Sequence, residues 1–174
     1  MNPDNGFGAV VRIVVSASLF WVTAGVISGW VAVRVPLYML SRDTWLTKIR
    51  RFERAGRWYE QTWSIRRWKD RLPEGGAWFA GGRSRRTVIG GRRQGLDRFA
   101  AETRRAEWVH WIQIALAPSF GWLVSAELGV FMTGVMALAH LPFIAVQRYN
   151  RARVLRILAR RKDPGSPLVF LHGV

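Results

Sequence analysis

The sequence predicts an all-α integral membrane protein, with about three transmembrane helices and with basic, tryptophan-rich amphipathic helices at the cytoplasmic membrane surface. Three observations predict this fold. Of the 174 residues, 49% are hydrophobic and ten are tryptophan, the hydrophobic residues form two long blocks, and 27 basic against 11 acidic residues lie mainly outside those blocks. The chain contains no cysteine, which excludes disulfides, thiolate metal sites and a cysteine nucleophile.

The first hydrophobic block, residues 13–33, is a run of 21 residues without a charged side chain. At about 1.5 Å per residue, such a helix crosses the roughly 30 Å hydrocarbon layer of a bilayer. The run is too long, and too rich in Trp, Val and Gly, for the core of a cleaved signal peptide, so we expect a retained anchor. Gly25 and Gly29 form a small-xxx-small pair, which favours close helix packing and predicts a homodimer through this helix.

The second hydrophobic block, residues 108–147, has Glu127 as its only formal charge. It divides near residues 121–127 into two helices, which predicts a hairpin in the membrane. Pro118 and Pro142 are expected to bend these helices, which is tolerated where neighbouring groups satisfy the freed carbonyls. The predicted spans are residues 13–33, 107–122 and 128–147.

Charge outside the spans predicts the topology. Residues 34–105 hold 19 basic and 7 acidic side chains, and residues 148–162 hold 7 basic side chains and no acid. Because basic loops remain on the cytoplasmic side, the amino terminus is expected outside and both basic segments inside. The positive charge then faces membrane and cytosol, so we expect no nucleic-acid partner. We predict one membrane-embedded domain, residues 1–162, followed by a flexible tail, residues 163–174.

Aromatic and basic residues alternate after the first span. Between residues 43 and 55, Trp45, Ile49 and Phe52 recur at helical spacing with basic residues between them. Basic amphipathic helices that carry tryptophan lie in the headgroup zone, with membrane lipids as partners. We therefore predict interfacial helices here. The pattern continues after Gly56 with Trp58, Trp63 and Trp68.

The rest of the segment 43–105 is predicted to contain a loop and a helix. Seven glycines lie within residues 74–95, which is typical of a loop, and they match neither a P-loop nor a dinucleotide fingerprint. Residues 96–105 are predicted to be helical and to continue directly into the second span.

Two histidines are the main candidates for chemistry, because the chain has no G-x-S-x-G elbow and no His followed five positions later by Asp. His110 and His140 lie in hydrophobic segments, where an ionisable group is costly and marks a functional candidate. Glu107 shares a helix face with His110 and is expected to orient it as a general base. Antiparallel pairing about residue 124 or 125 brings His140 level with His110. Two alternatives stay open: a structural hydrogen bond between the histidines, or a metal bound with Glu107.

Polar residues follow the third predicted span. Gln147, Arg148 and Asn150 form a directional donor cluster at the membrane boundary, which suits a phosphate or the oxyanion of an acyl-transfer intermediate. The later arginines are expected only to reach toward lipid phosphates. These later arginines are Arg156, Arg160 and Arg161.

Three stretches resemble one family in their order and spacing: RWKDRLPEGGAWF at 67–79, ETRRAEWVHW at 102–111 and QRYNRAR at 147–153. They resemble the glycosyl-4,4'-diaponeurosporenoate acyltransferase family over roughly residues 45–162. Members are small bacterial membrane proteins that esterify a sugar hydroxyl of a glycosylated carotenoid with a fatty acyl chain. The resemblance implies a bacterial plasma-membrane acyltransferase with a glycolipid acceptor, with acyl-CoA as donor and co-substrate, and with neither a cofactor nor a metal.

On this resemblance, His110 is expected to deprotonate the sugar hydroxyl, with Glu107 orienting it. Arg148 and Asn150 are expected to stabilise the oxyanion, and tryptophans to stack on the sugar. Donor phosphates are assigned to Arg66, Arg67, Lys69, Arg151 and Arg153, although Lys69 and Asp70 equally suit an ion pair. The complete predicted substrate-binding set is Arg66, Arg67, Trp68, Lys69, Asp70, Trp78, Glu102, Thr103, Arg105, Trp111, Gln147, Tyr149, Arg151 and Arg153.

Two other functions remain possible on the residues alone. A non-catalytic polybasic membrane adaptor explains the charge, the tryptophans and the spans, but not an acid–histidine pair near an Arg-Tyr-Asn cluster. A metal-dependent lipid-modifying enzyme is the second alternative, and metal analysis of the purified protein distinguishes it.

Overall fold

The computed structural model describes residues 3–72 and 93–162, and this part of the chain is helical without β-strands, as the sequence predicts. Trp78, most of the glycine-rich stretch and the predicted tail lie outside the described residues. The α-helices are α1 (Pro3–Arg34), α2 (Arg57–Trp63), α3 (Arg93–Leu116) and α4 (Ala126–Lys162). Short 3₁₀ helices cover Leu37–Leu40, Arg51–Gly56, Ile65–Arg67, Lys69–Arg71 and Ala117–Trp122.

Helices α3 and α4 form an antiparallel hairpin through the 3₁₀ turn Ala117–Trp122. The predicted helix from residue 96 into the second hydrophobic block is confirmed, because α3 is continuous to Leu116. Pro118 follows the end of α3, whereas α4 continues through Pro142. At the turn, a Cβ on Gly129 would lie 2.7 Å from the Cα of Gly121, so only glycine allows this approach.

Helix α1 packs against α3. The rings of Phe20 and Phe120 lie 5.6 Å apart near the hairpin turn, while Arg105 donates a hydrogen bond to the carbonyl of Val35 at the other end of the helix pair. The two helices are therefore antiparallel. Gly29 is buried within the chain and the space beside Gly25 is open, so the homodimer through this pair stays a prediction.

Two of the described helices are long and apolar enough to cross a membrane, at Gly6–Arg34 and Ala126–Arg160, which indicates membrane association. From Glu127 to Arg148, α4 rises about 31 Å, close to the hydrocarbon thickness. Helix α3 is not one of the two, because its amino-terminal half is charged and its apolar half is short. The third crossing and the orientation of the termini remain predictions.

The segment after α1 corrects one prediction. No α-helix covers residues 43–55; the chain forms turns there and then the 3₁₀ helix Arg51–Gly56. The helix is interrupted because Arg54, Ala55 and Gly56 all have positive φ, of 47°, 53° and 92°. Gly56 also lies close to α4, since a Cβ there would lie 3.3 Å from the Cβ of Ala152, which is a tight contact.

The tryptophans after this turn pack on α4 instead of lying free at the surface. Tyr59 and Ile65 form a buried core with residues 145, 146 and 149 of α4, and partly buried tryptophans surround it. Trp68 donates its indole N–H to the carbonyl of Trp63 at 2.8 Å. The interfacial position predicted for this segment is not confirmed, although Trp45 and Phe52 are exposed. The surrounding aromatic residues are Trp58, Trp63 and Trp68.

Candidate active site

Four charged side chains meet between α3, α4 and the turn before α2. We call Glu53, Glu107, Arg148 and Arg151 the buried ion cluster. Arg148 pairs with Glu53 and with Glu107, each at 2.6 Å, and Arg151 pairs with the second oxygen of Glu107, also at 2.6 Å. Both carboxylates and Arg151 are fully buried. Two carboxylates and two guanidiniums cancel in charge, which is the condition under which buried ions are tolerated.

Arg148 uses all five of its N–H groups inside the protein. Its Nε and Nη2 bind the two oxygens of Glu53, its Nη1 binds Glu107, and the remaining hydrogens are donated to the carbonyls of Leu46 and Lys48. A guanidinium has five donors and no acceptor. The predicted role of Arg148 as an oxyanion donor therefore does not fit this geometry, because no N–H group is left for a substrate.

Arg151 has a different environment. Its Nη2 donates to Glu107 and to the carbonyl of Thr47, while its Nε and Nη1 have no hydrogen-bond partner in the described part of the chain. The side chain of Arg151 is fully buried. A fully enclosed guanidinium does not reach donor phosphates outside the protein, so the predicted contact of Arg151 with the donor does not fit its position.

Glu53 is the cluster member that the sequence analysis missed. Its Oε2 accepts the hydroxyl hydrogen of Tyr59 at 2.8 Å, and its Oε1 accepts the backbone N–H of Arg50 at 2.7 Å. Burial, together with the Glu53 carboxylate, raises the pKa of Tyr59 above its ordinary value. The available signal was an isolated acid in a strongly basic segment, because such an acid is expected to pair with a distant arginine.

The two histidines face each other across the hairpin. The Nδ1 atoms of His110 and His140 lie 2.8 Å apart, and the ring of His110 stacks on Phe143 at 5.0 Å with an interplanar angle of 28°. The predicted register, with His140 level with His110, is confirmed. The predicted pairing of Glu107 with His110 is wrong, because Glu107 accepts its hydrogen bonds from two arginines and from the indole of Trp111.

Several other predicted site residues are engaged within the protein. Thr103 donates to the carbonyl of Ala100 at 2.7 Å and is buried, and Arg105 pairs with Glu102 at 2.8 Å. The hydroxyl of Tyr149 donates to Glu60 at 2.7 Å. The contact of Tyr149 joins α4 to α2, whereas the other two contacts lie within α3. Lys69 and Asp70 form the ion pair that the sequence left as an alternative.

Other predicted residues remain accessible. Arg66, Arg67 and Arg153 are exposed, and Arg153 lies over the ring of Tyr149 at 5.6 Å. Gln147 and Asn150 are half-buried, and their side chains make no hydrogen bond with the described residues. Among residues 3–72 and 93–162, no three His, Asp or Glu side chains come together in a way that holds a metal ion.

Comparison with known proteins identifies the family. The family model described as glycosyl-4,4'-diaponeurosporenoate acyltransferase matches residues 42–160, which include the ion cluster and both hairpin histidines. The chain belongs to this family. Membership of this family supports an acyltransferase activity for the chain.

Curated relatives agree with the family model. The glycosyl-4,4'-diaponeurosporenoate acyltransferase of Staphylococcus aureus strain MRSA252 is 28% identical over 151 residues, which cover 84% of this chain and 90% of the relative. The protein of the same name from strain N315 is 27% identical over the same coverage. No solved structure matches the chain.

Proposed function

We propose that this protein is a membrane-bound O-acyltransferase, which transfers a fatty acyl group from acyl-CoA to a sugar hydroxyl of a glycosylated lipid. The acceptor is a glycosyl carotenoid or a related glycolipid. Family membership and the names of the Staphylococcus relatives support the class of reaction. The assignment of the base is carried by the contacts of His110. Among the described residues, its imidazole contacts the ring of His140 instead of a carboxylate or an arginine.

The position of His110 suits a lipid substrate. It lies one helical turn from Glu107, or about 4.5 Å along α3, on the side of the ion cluster that faces the hydrophobic part of the hairpin. A glycolipid whose sugar lies at headgroup level presents a hydroxyl near this boundary, while its apolar part stays in the bilayer. The exposed cations Arg66, Arg67 and Arg153 are available for the phosphates of the acyl-CoA donor.

The proposed reaction is direct acyl transfer. His110 accepts the hydroxyl proton at Nε2 as the sugar oxygen attacks the carbonyl carbon of the thioester. The tetrahedral intermediate collapses, the carbon–sulfur bond breaks, and the leaving thiolate receives the proton from His110. The side-chain amide of Asn150 is not engaged by the described residues, but it lies ten residues after His140, or about 15 Å along α4, so this step leaves the oxyanion donor unassigned.

The ion cluster has a structural role in this proposal and does not contact the reacting groups. Its pairs connect α3 and α4 to the turn that contains Glu53, and so fix the helix turn on which His110 lies. In this proposal Glu107 and Arg148 hold the scaffold, and their loss affects activity through the fold. This role replaces the orientation of His110 by Glu107 and the oxyanion contact of Arg148 that the sequence predicted.

The test is acyl transfer from labelled acyl-CoA to a glycolipid acceptor by protein in nanodiscs. His110→Gln keeps a hydrogen-bonding side chain but removes the base, so turnover is expected to fall about 10²–10⁴-fold with little change in thermal stability. His172→Gln, the same substitution in the predicted tail, is the matched control and is expected to retain activity. Full activity in His110→Gln would remove the base assignment.

A second arm tests the reaction class. Wild-type protein that binds anionic vesicles but transfers no acyl group from any acyl-CoA would favour the polybasic adaptor. Turnover that a chelator abolishes and added metal restores would favour the metal-dependent enzyme.

A further inference from the structure

In the contact between the two histidines, one ring must donate and the other must accept. Two imidazole nitrogens at 2.8 Å form a hydrogen bond only if one carries a hydrogen and the other presents a lone pair. If His110 donates from Nδ1, its Nε2 has the free lone pair that a base needs. If His140 donates instead, His110 carries its hydrogen on Nε2 and cannot accept a proton there.

We infer that His140 is the positioning residue for His110: its Nδ1 accepts the Nδ1–H of His110 and holds that ring in the tautomer that is competent as a base. This inference rests on the proposed function and deepens it. In many enzymes a carboxylate performs this task. Here the nearest carboxylate on α3, Glu107, is already bound by Arg148, Arg151 and Trp111.

A neutral acceptor suits this place in the protein. Neither His110 nor His140 has a charged partner among the described residues, and both lie on the hydrophobic side of the ion cluster. An ionised carboxylate at this depth would need its own cation, because an isolated charge is costly in hydrocarbon. An imidazole acceptor orients the base without placing a permanent charge in the membrane.

Packing fixes the geometry of the pair. The ring of His110 stacks on Phe143, which lies three residues after His140 on α4, and this contact restricts the plane of the ring. The hydrogen bond then selects which nitrogen points away from α4. When His110 takes the hydroxyl proton at Nε2, the positive charge is shared through the Nδ1–H with His140, and it disappears when the proton passes to the leaving thiolate.

The kinetic test compares three variants in the acyl-transfer assay. His140→Leu removes the acceptor and is expected to lower kcat about 10²-fold with KM little changed. His140→Asn places an amide oxygen on Cγ, where histidine has Nδ1, and is expected to restore most of kcat. Phe143→Leu removes the stacked ring but keeps the acceptor, and is expected to lose less than His140→Leu.

Three results would overturn the inference. These are wild-type kcat in His140→Leu, equal losses in His140→Asn and His140→Leu, or a loss in Phe143→Leu as large as that in His140→Leu. In each case an inactive His110→Gln with an active wild type would leave the proposed acyl transfer intact. No acyl transfer by the wild-type protein would instead refute the proposed function, and the positioning role with it.

A spectroscopic test needs no substrate. The chain has three histidines, so protein labelled with ¹⁵N at histidine gives a spectrum simple enough to assign in nanodiscs. An N–H···N hydrogen bond is expected to produce a coupling between the Nδ1 nuclei of His110 and His140, with the hydrogen on His110. The coupling should vanish in His140→Leu. Its absence in the wild type, or a hydrogen resident on His140 Nδ1, would overturn the inference.

Discussion

The buried ion cluster and the histidine pair lie one turn apart on α3 and differ in almost every physical respect. In the cluster, four charges cancel and Arg148 has no free donor. In the pair, two imidazole rings share one hydrogen bond, and both are only partly buried. The difference favours a scaffold role for the most strongly charged part of the motif, and it leaves the weakly polar part beside it available for the proposed chemistry.

Burial explains why the two regions suit different roles. A charge removed from water is stable only when its partners satisfy it completely, so a buried arginine with five hydrogen bonds cannot exchange them for a passing substrate at low cost. A neutral imidazole carries a smaller desolvation cost and can leave one nitrogen open. Substitutions in the two regions should therefore separate stability from turnover.

The largest expected effect is in Arg148→Ala. It leaves Glu53 and Glu107 buried without their shared cation, and breaking such a pair costs about 3–5 kcal/mol of unfolding free energy. Denaturation of the purified protein in detergent measures this loss. The matched control is Arg160→Ala, at an exposed position on the same helix, with an expected change within about 0.5 kcal/mol. Wild-type stability with lost turnover in Arg148→Ala would restore its role as an oxyanion donor.

The next prediction compares replacement by glutamine at two neighbouring positions of α3. Glu107→Gln removes the carboxylate shared by two arginines, so we expect a loss of about 3 kcal/mol in unfolding free energy. His110→Gln, one turn away, is expected to change stability by less than about 1 kcal/mol while abolishing most turnover. Melting temperature and kcat measured on both variants check this pattern. Two variants with the same profile would contradict the division between scaffold and site.

The smallest effect concerns Tyr59. Tyr59→Phe removes the hydroxyl that binds Glu53 and is expected to cost about 1 kcal/mol near neutral pH. Because burial and Glu53 raise the pKa of Tyr59 in the folded state, the unfolded chain loses this proton first as pH rises. Wild-type stability should therefore fall above about pH 10. Unfolding measured against pH should show a shallower fall in Tyr59→Phe, and an identical slope would contradict the assignment.

The helices and their register could be predicted from the sequence, because they depend on the hydrophobic pattern of nearby residues. Segment length and helix rise predict the helical class, the continuity of α3 and the long helices at residues 13–33 and 128–147. They also predict that His110 and His140 lie at the same level of the hairpin. The course of residues 43–56 did not follow, because positive φ at Arg54 and Ala55 depends on packing against α4 and has no strong local signal.

The sequence by itself determined which residues are chemically capable, namely His110, His140, Glu107 and the arginines of α4. Only the tertiary structure decided how they are paired. Arg148 meets Glu53 across 95 residues and Glu107 across 41, and spacing along one helix does not reveal such partners. The helical period placed Glu107 beside His110, but an unsatisfied guanidinium in a buried site attracts a carboxylate more strongly than a neutral imidazole does. Glu107 therefore turns to the arginines, and His110 turns to His140.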